Sequence, residues 1–303
     1  MMLVGVAFGW NDCTSSQAPF PYSRESCHSV CVDLGGGTLE CDIETFGGTT
    51  GGDLFASTEY ASGYISVWGT DASGDDFCCA AKLPGAGGVI TMKGTIFGDT
   101  IALGDASYGY CAEYMDTRTF AEEGNDVVTA RCDSGLGGNL LVEGDDGVDW
   151  IDVHPYKAAF EIDLRGGAQN DYIRGSTTSG TLFDGGAGND TLVGGNASDI
   201  MVGGIGNDSI SGAGGPDAIS GDEGNDTING GAGDDVLCSG PSAGGAGDSI
   251  IPGTGSNVLW APSGASVTAS ASSIDDCAYN GLPVNWAGTS CAYVVATEPS
   301  SCP

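Results

Sequence analysis

Basic residues are scarce in this chain. Its 303 residues include only 8 Lys and Arg against 41 Asp and Glu, with two His, for a formal charge of −33. That balance excludes nucleic acid as a partner, because a phosphate backbone needs a basic surface. It also disfavours anionic membranes. No run of about 20 apolar residues is present, so no membrane-inserted helix is expected, and no segment keeps a helical period for a useful length. Catalytic signatures are missing too. HExxH and GxSxG do not occur, since Gly104–Gly109 carries an extra residue before Ser107. A Ser-His-Asp triad would have to use His28 or His154, the only histidines. There is no CxxC, so the 12 Cys are read as disulfides rather than zinc ligands, which places the chain in an oxidising compartment. Spacing alone leaves their connectivity open. Residues 1–10, MMLVGVAFGW, lack a basic n-region and a clear cleavage site, and read either as the remnant of a signal or as a first strand.

Glycine is abundant, with 54 residues, far above the usual ~7%. A hydrophobic fraction of 40% argues against disorder once the charge is neutralised. Six aspartates, Asp190, Asp199, Asp208, Asp217, Asp226 and Asp235, stand nine residues apart. Two residues after each comes Leu192, Met201, Ile210, Ile219, Ile228 or Leu237, and before each runs a glycine-rich stretch. The unit is G-G-x-G-x-D-x-U-x. Its glycines permit positive φ and a tight turn with exposed carbonyls, the Asp closes the turn with a hard oxygen, and U is the one inward side chain of a very short strand. One apolar residue per repeat buries too little alone, so the turns must stack into a solenoid with a thin core. Two units make one coil. Asp190, Asp208 and Asp226 therefore form one column, and Asp199, Asp217 and Asp235 the other. Stacked carboxylates repel unless a cation lies between them. Carboxylates with turn carbonyls in a flexible loop suit Ca²⁺ better than Mg²⁺, and no Cys or His recurs with the repeat for zinc.

The segment resembles the RTX (repeats-in-toxin) calcium-binding β-roll, with its best copies at 185–193, 203–211, 221–229 and 230–238. The resemblance implies an all-β fold, a right-handed parallel β-roll or β-helix solenoid, that holds several Ca²⁺ ions. The candidate metal residues are the six repeat aspartates, with Asp149 and Asp171 upstream. The turn residues Gly186, Gly188, Gly204, Gly206, Asp222, Gly224, Gly231 and Gly233 complete the set. Copies at 194–202, with Ala197 at the fourth position, and at 212–220, with Ala213 at the second, are expected to bind weakly or not at all. RTX proteins exported in one step are typically almost free of cysteine, so twelve Cys favour passage through a disulfide-forming compartment instead.

Upstream, Asp53, Asp76, Asp99, Asp126, Asp149 and Asp171 each end a turn and are followed at +2 by an apolar residue. Alternating segments such as Ile65-Ser-Val-Trp-Gly and Leu140-Leu-Val-Glu-Gly read as strands running into turns. The solenoid is thus expected to begin near Asp53. Four regions follow: a Cys-rich N-terminal cap at 1–42, irregular long coils at 43–180, the RTX β-roll at 181–240, and a C-terminal coil and cap at 241–303. Disulfide-bonded caps protect the open coil ends.

The sequence points to a secreted or cell-surface, calcium-binding structural or adhesive protein, not an enzyme, whose folding is coupled to Ca²⁺. Surface glycans or self-association are the candidate partners. Two alternatives stand beside it: a polysaccharide-active β-helix enzyme, and a subunit of an extracellular filament or surface layer. The most enzyme-like stretch, Asp149-Trp-Ile-Asp152-Val-His154, is explained more simply by a turn, core residues and a connection. Ice binding is disfavoured, because the third turn positions read Ala187, Asn196, Ile205, Gly214, Glu223 and Ala232, with no Thr row.

Overall fold

The computed structural model describes residues 31–35, 38–42, 53–59, 64–70, 76–82, 89–94, 97–103, 116–131, 138–153, 161–240, 247–262, 266–268, 276–280, 285–287 and 294–295. All their regular structure is strand, arranged as two sheets of 13 strands each. From Val89–Lys93 onward the chain alternates between the two sheets, and every pairing is parallel. This is a parallel β-solenoid, as the repeat requires.

The nonapeptide period explains the alternation. Ile200–Ile205, Ala218–Glu223 and Val236–Cys238 lie in one sheet, while Thr191–Val193, Ser209–Ser211 and Thr227–Asn229 lie in the other. Partners are 18 residues apart, Met201 with Ile219 and Leu192 with Ile210. A strand of three residues sends only its middle side chain inward. Leu192, Met201, Ile210, Ile219, Ile228 and Leu237 are accordingly all buried. The same stacks continue upstream through Ile173, Ile151, Val128 and Ile101 on one side, and through Phe183, Leu164, Val142 and Thr119 on the other.

The N-terminal end differs from the sequence expectation. Thr38–Asp42 and Asp53–Glu59 do form a first coil, pairing in parallel with Val89–Lys93 and Thr100–Leu103. Between these coils, however, Tyr64–Thr70 runs antiparallel to Asp53–Glu59, and Asp76–Lys82 antiparallel to Tyr64–Thr70. Asp76 therefore begins a meander strand and closes no coil turn. The four-residue link at 60–63 is short enough for a hairpin, whereas a parallel return needs a crossover of a dozen residues or more. Cys31–Gly35 likewise pairs antiparallel with Thr38–Asp42. Most cysteines fall outside the residues whose side chains are described; Cys238 is disulfide-bonded. It lies buried with Trp260 and Val236 on the outer side of its sheet.

Candidate metal centre

The edge that joins the two sheets is built from six-residue turns of one design. Gly186, Gly204 and Gly231 at the second position have φ of 97°, 104° and 99°, and Gly188, Gly206, Gly224 and Gly233 at the fourth have 153°, 148°, 149° and 157°. Within the nonapeptide copies two non-glycines adopt the left-handed second position, Ala213 at 69° and Asp222 at 66°. Close stacking favours glycine at the fourth position, although Gln169 and Ala197 hold it in the 166–171 and 194–199 turns. A Cβ on Gly206 would collide with the carbonyl of Gly188, and one on Gly224 with the carbonyl of Gly206. The first position is equally tight. A Cβ on Gly203 would sit 2.5 Å from Asp208 Oδ2 and 2.8 Å from the Gly221 carbonyl. Backbone carbonyls and a carboxylate are thereby packed along each edge with no side-chain filler.

The aspartates form the two predicted columns, and the first is longer than expected. The N–H of each member donates to Oδ1 of the next: Asp99 to Asp126, Asp126 to Asp149, Asp149 to Asp171, Asp171 to Asp190, Asp190 to Asp208, Asp208 to Asp226 and Asp226 to Asp248. In the second column the bonds run Thr181 to Asp199, Asp199 to Asp217, Asp217 to Asp235 and Asp235 to Asn257. Asp248 and Asn257 were missed from the sequence. Each sits 22 residues from its neighbour rather than 18, though the D-x-U signal survives in Asp248-Ser-Ile250. A second ladder runs on the exposed fifth position, where the N–H groups of Asn189, Asn207 and Asn225 donate to Oδ1 of Asn170, Asn189 and Asn207. The recurring Gly-Asn-Asp triplet is its signature in the sequence.

One oxygen of most of these carboxylates is left over. Every member of the two columns is at most 3% exposed, yet Oδ2 of Asp126, Asp149, Asp171, Asp190, Asp208, Asp217, Asp226, Asp235 and Asp248 has no hydrogen-bond partner. An unpaired buried charge is costly. Burial is the main cause that raises these groups from 3.8, to about 8 at Asp126 and Asp171 and about 7 at Asp217 and Asp226. Asp149 and Asp190 rise to about 6 for the same reason, and Asp208, Asp235 and Asp248 are also raised. In each case the donated N–H offsets part of the rise.

Asn257 shows what the vacant valence wants. It occupies the aspartate position at the end of the second column, and its amide nitrogen donates to the Pro252 carbonyl, the first residue of its turn, at 3.4 Å. An aspartate there presents an oxygen instead, so a proton or a cation must stand between. The 194–199 turn departs from the pattern. Asp199 Oδ2 accepts the Gly195 N–H at 2.8 Å and so is satisfied within the protein. This is the turn with Ala197 at the fourth position. The 212–217 turn, despite Ala213, keeps an unpartnered Asp217 Oδ2.

Among the described residues, no three Asp, Glu, His or Cys side chains converge on one point. The donors along these edges are single carboxylates beside backbone carbonyls, which is an oxygen set for calcium and not for zinc. Fold and site together define a calcium-type parallel β-roll. A family model for the RTX calcium-binding nonapeptide repeat matches residues 163–178, 177–210 and 211–241. No curated protein and no solved structure matches the chain. Residues 163–241 are therefore RTX calcium-binding nonapeptide repeats within a longer β-solenoid.

The remaining expectations can be placed. In the enzyme-like stretch, Asp149 belongs to the column, Ile151 and Val153 are buried, and Asp152 forms an ion pair with Arg174 at 2.6 Å. His154 lies outside the described residues.

Proposed function

We propose that this protein is an extracellular structural or adhesive β-solenoid whose folding is coupled to calcium through the turn edges. The observation that carries the reading is the register of buried, unpartnered Oδ2 atoms along both edges. The residues that would hold the ions are Asp171, Asp190, Asp208 and Asp226 in one column, and Asp217 and Asp235 in the other, while Asp199 already has its second oxygen on the Gly195 N–H. Carbonyls of the turn positions that include Gly186, Gly188, Gly204, Gly206, Asp222, Gly224, Gly231 and Gly233 complete the oxygen set. Calcium supplies the positive charge that the packed oxygens lack. The chain does the rest: left-handed residues set the carbonyl direction, the Asp-to-Asp N–H ladder fixes one carboxylate oxygen, and the stacked U residues form a core only when coils are in register. Glycine-rich turns lose much conformational entropy on ordering, so binding free energy appears as folding free energy.

Affinity in the roughly millimolar range of extracellular modules suits secretion, as do the cysteines. Exposed apolar and aromatic side chains on the outer faces support this role. Trp150 and Tyr172 stack with ring centroids 4.0 Å apart, Trp150 is half exposed, and Ile200 and Ile205 face solvent. Such features suit glycan contact or self-association. The test is far-ultraviolet circular dichroism of the full chain with calcium and with EDTA. Loss of strand signal on chelation supports the reading; superimposable spectra refute it.

A further inference from the structure

We propose that the turns at 121–126 and 144–149, outside the recognised repeats, form a further site for a hard divalent cation. The proposal rests on the calcium reading of the nonapeptide edge and extends it to coils that the repeat model does not match.

Much of the geometry of the recognised turns recurs on the N-terminal side of residue 163. Glu122 and Asp145 take the left-handed second position, with φ of 72° and 67°, and Gly124 takes the positive fourth position at 135°. The fourth-position N–H donates to the third-position carbonyl of the next coil throughout: Gly124 to Asp146 at 2.7 Å and Gly147 to Ala168 at 3.1 Å, as Gly188 to Ile205 and Gly206 to Glu223 at 2.7 Å. The carbonyl stacking is the same, with Gly147 against the Gly124 carbonyl as Gly206 is against that of Gly188. Three positions depart: Ala121 replaces glycine at the first, Gly147 does not share the positive φ of the other fourth-position glycines, and Val148 replaces asparagine at the fifth.

The independent sign of a ligand is the carboxylates themselves. Asp126 is 1% and Asp149 2% exposed, and Oδ2 of each has no partner. Around them the turns are more acidic than most of the nonapeptide copies. Glu122, Glu123, Asp145 and Asp146 occupy the second and third positions, and Glu123 pairs directly with Asp146 of the next coil. Adding carboxylates at this spacing without a cation between coils is unfavourable.

The site has a built-in reporter. Trp150 follows Asp149 directly, while 181–240 contains no Trp or Tyr. Terbium(III), a calcium mimic, should emit when the full chain is excited through tryptophan, and calcium should compete the emission away. Trp150→Phe should abolish most of the signal while leaving the calcium count unchanged. Asp149→Asn and Asp126→Asn should each lose the signal with the calcium-saturated circular dichroism retained, whereas Asp208→Asn keeps it. Absent emission in a protein that metal analysis shows to hold calcium overturns this site and leaves the β-roll reading standing. Emission that survives Trp150→Phe, or both Asp149→Asn and Asp126→Asn, overturns it as well. A chain that holds neither ion removes the underlying reading instead.

Discussion

Replacing Asp217 by Asn should change stability in opposite directions with and without calcium. Asp217 is 2% exposed, its Oδ1 accepts the Asp199 N–H at 2.8 Å, and its Oδ2 has no partner. Burial, helped by the neighbouring Asp199 and Asp235 charges, lifts it from 3.8 to about 7. Each pKa unit corresponds to about 1.4 kcal/mol, so holding this group ionised at pH 7 costs the metal-free fold about 4 kcal/mol. Asn removes that cost and keeps the acceptor for Asp199. Asn257 shows that the turn geometry accommodates the amide, donating to the first-position carbonyl. In EDTA, the variant should gain up to about 4 kcal/mol in urea unfolding at pH 7. With calcium at about a hundredfold over its dissociation constant, the wild type gains about 3 kcal/mol per site, and the variant should forfeit that at this turn. Urea midpoints in the two conditions measure both changes. A variant destabilised in EDTA would show that the metal-free fold does not carry the carboxylate as a burden, and would refute the reasoning.

The same shifts set a pH dependence. A folded-state pKa raised above the unfolded value means that the metal-free fold is most stable below pH 3.8 and loses stability as pH rises through about 6 to 8; acidifying the EDTA-treated chain from pH 8 to 5 should therefore restore strand signal in circular dichroism, and calcium affinity should fall over the same range. Glycine positions should split sharply in thermal unfolding with calcium. Gly206→Ala puts a side chain at φ 148° against the Gly188 carbonyl and should cost about 3 kcal/mol or more, whereas Gly214→Ala, whose nearest atom would be Asn196 Oδ1 at 3.4 Å, should stay within about 1 kcal/mol.

The period made the roll legible. Because U sits at a fixed place in every nine residues, the alternation of Leu192, Ile210 and Ile228 in one sheet with Met201, Ile219 and Leu237 in the other follows from the sequence, as does the split of the aspartates into two columns. The meander at 64–82 was not legible. Period-2 patterning in Ile65-Ser-Val-Trp marks a strand but not the direction of its partner, and the short 60–63 link decided it. The extension of the first column to Asp248, and the place of Asn257, were hidden by the change from 18 to 22 residues. Sequence spacing reports a repeat, whereas the structure tolerates insertion wherever the extra residues leave the solenoid edge unchanged. The distinct state of Asp199 was half visible. Ala197 marked an unusual turn, but the turning of the carboxylate onto the Gly195 N–H required coordinates.

Calcium content measured on the full chain alongside far-ultraviolet circular dichroism, with and without chelator at pH 7.5, tests the central claim most directly. The account predicts several bound calcium ions, loss of strand signal when they are removed, and recovery when calcium is restored. A fully folded spectrum from a chain stripped of metal would contradict it.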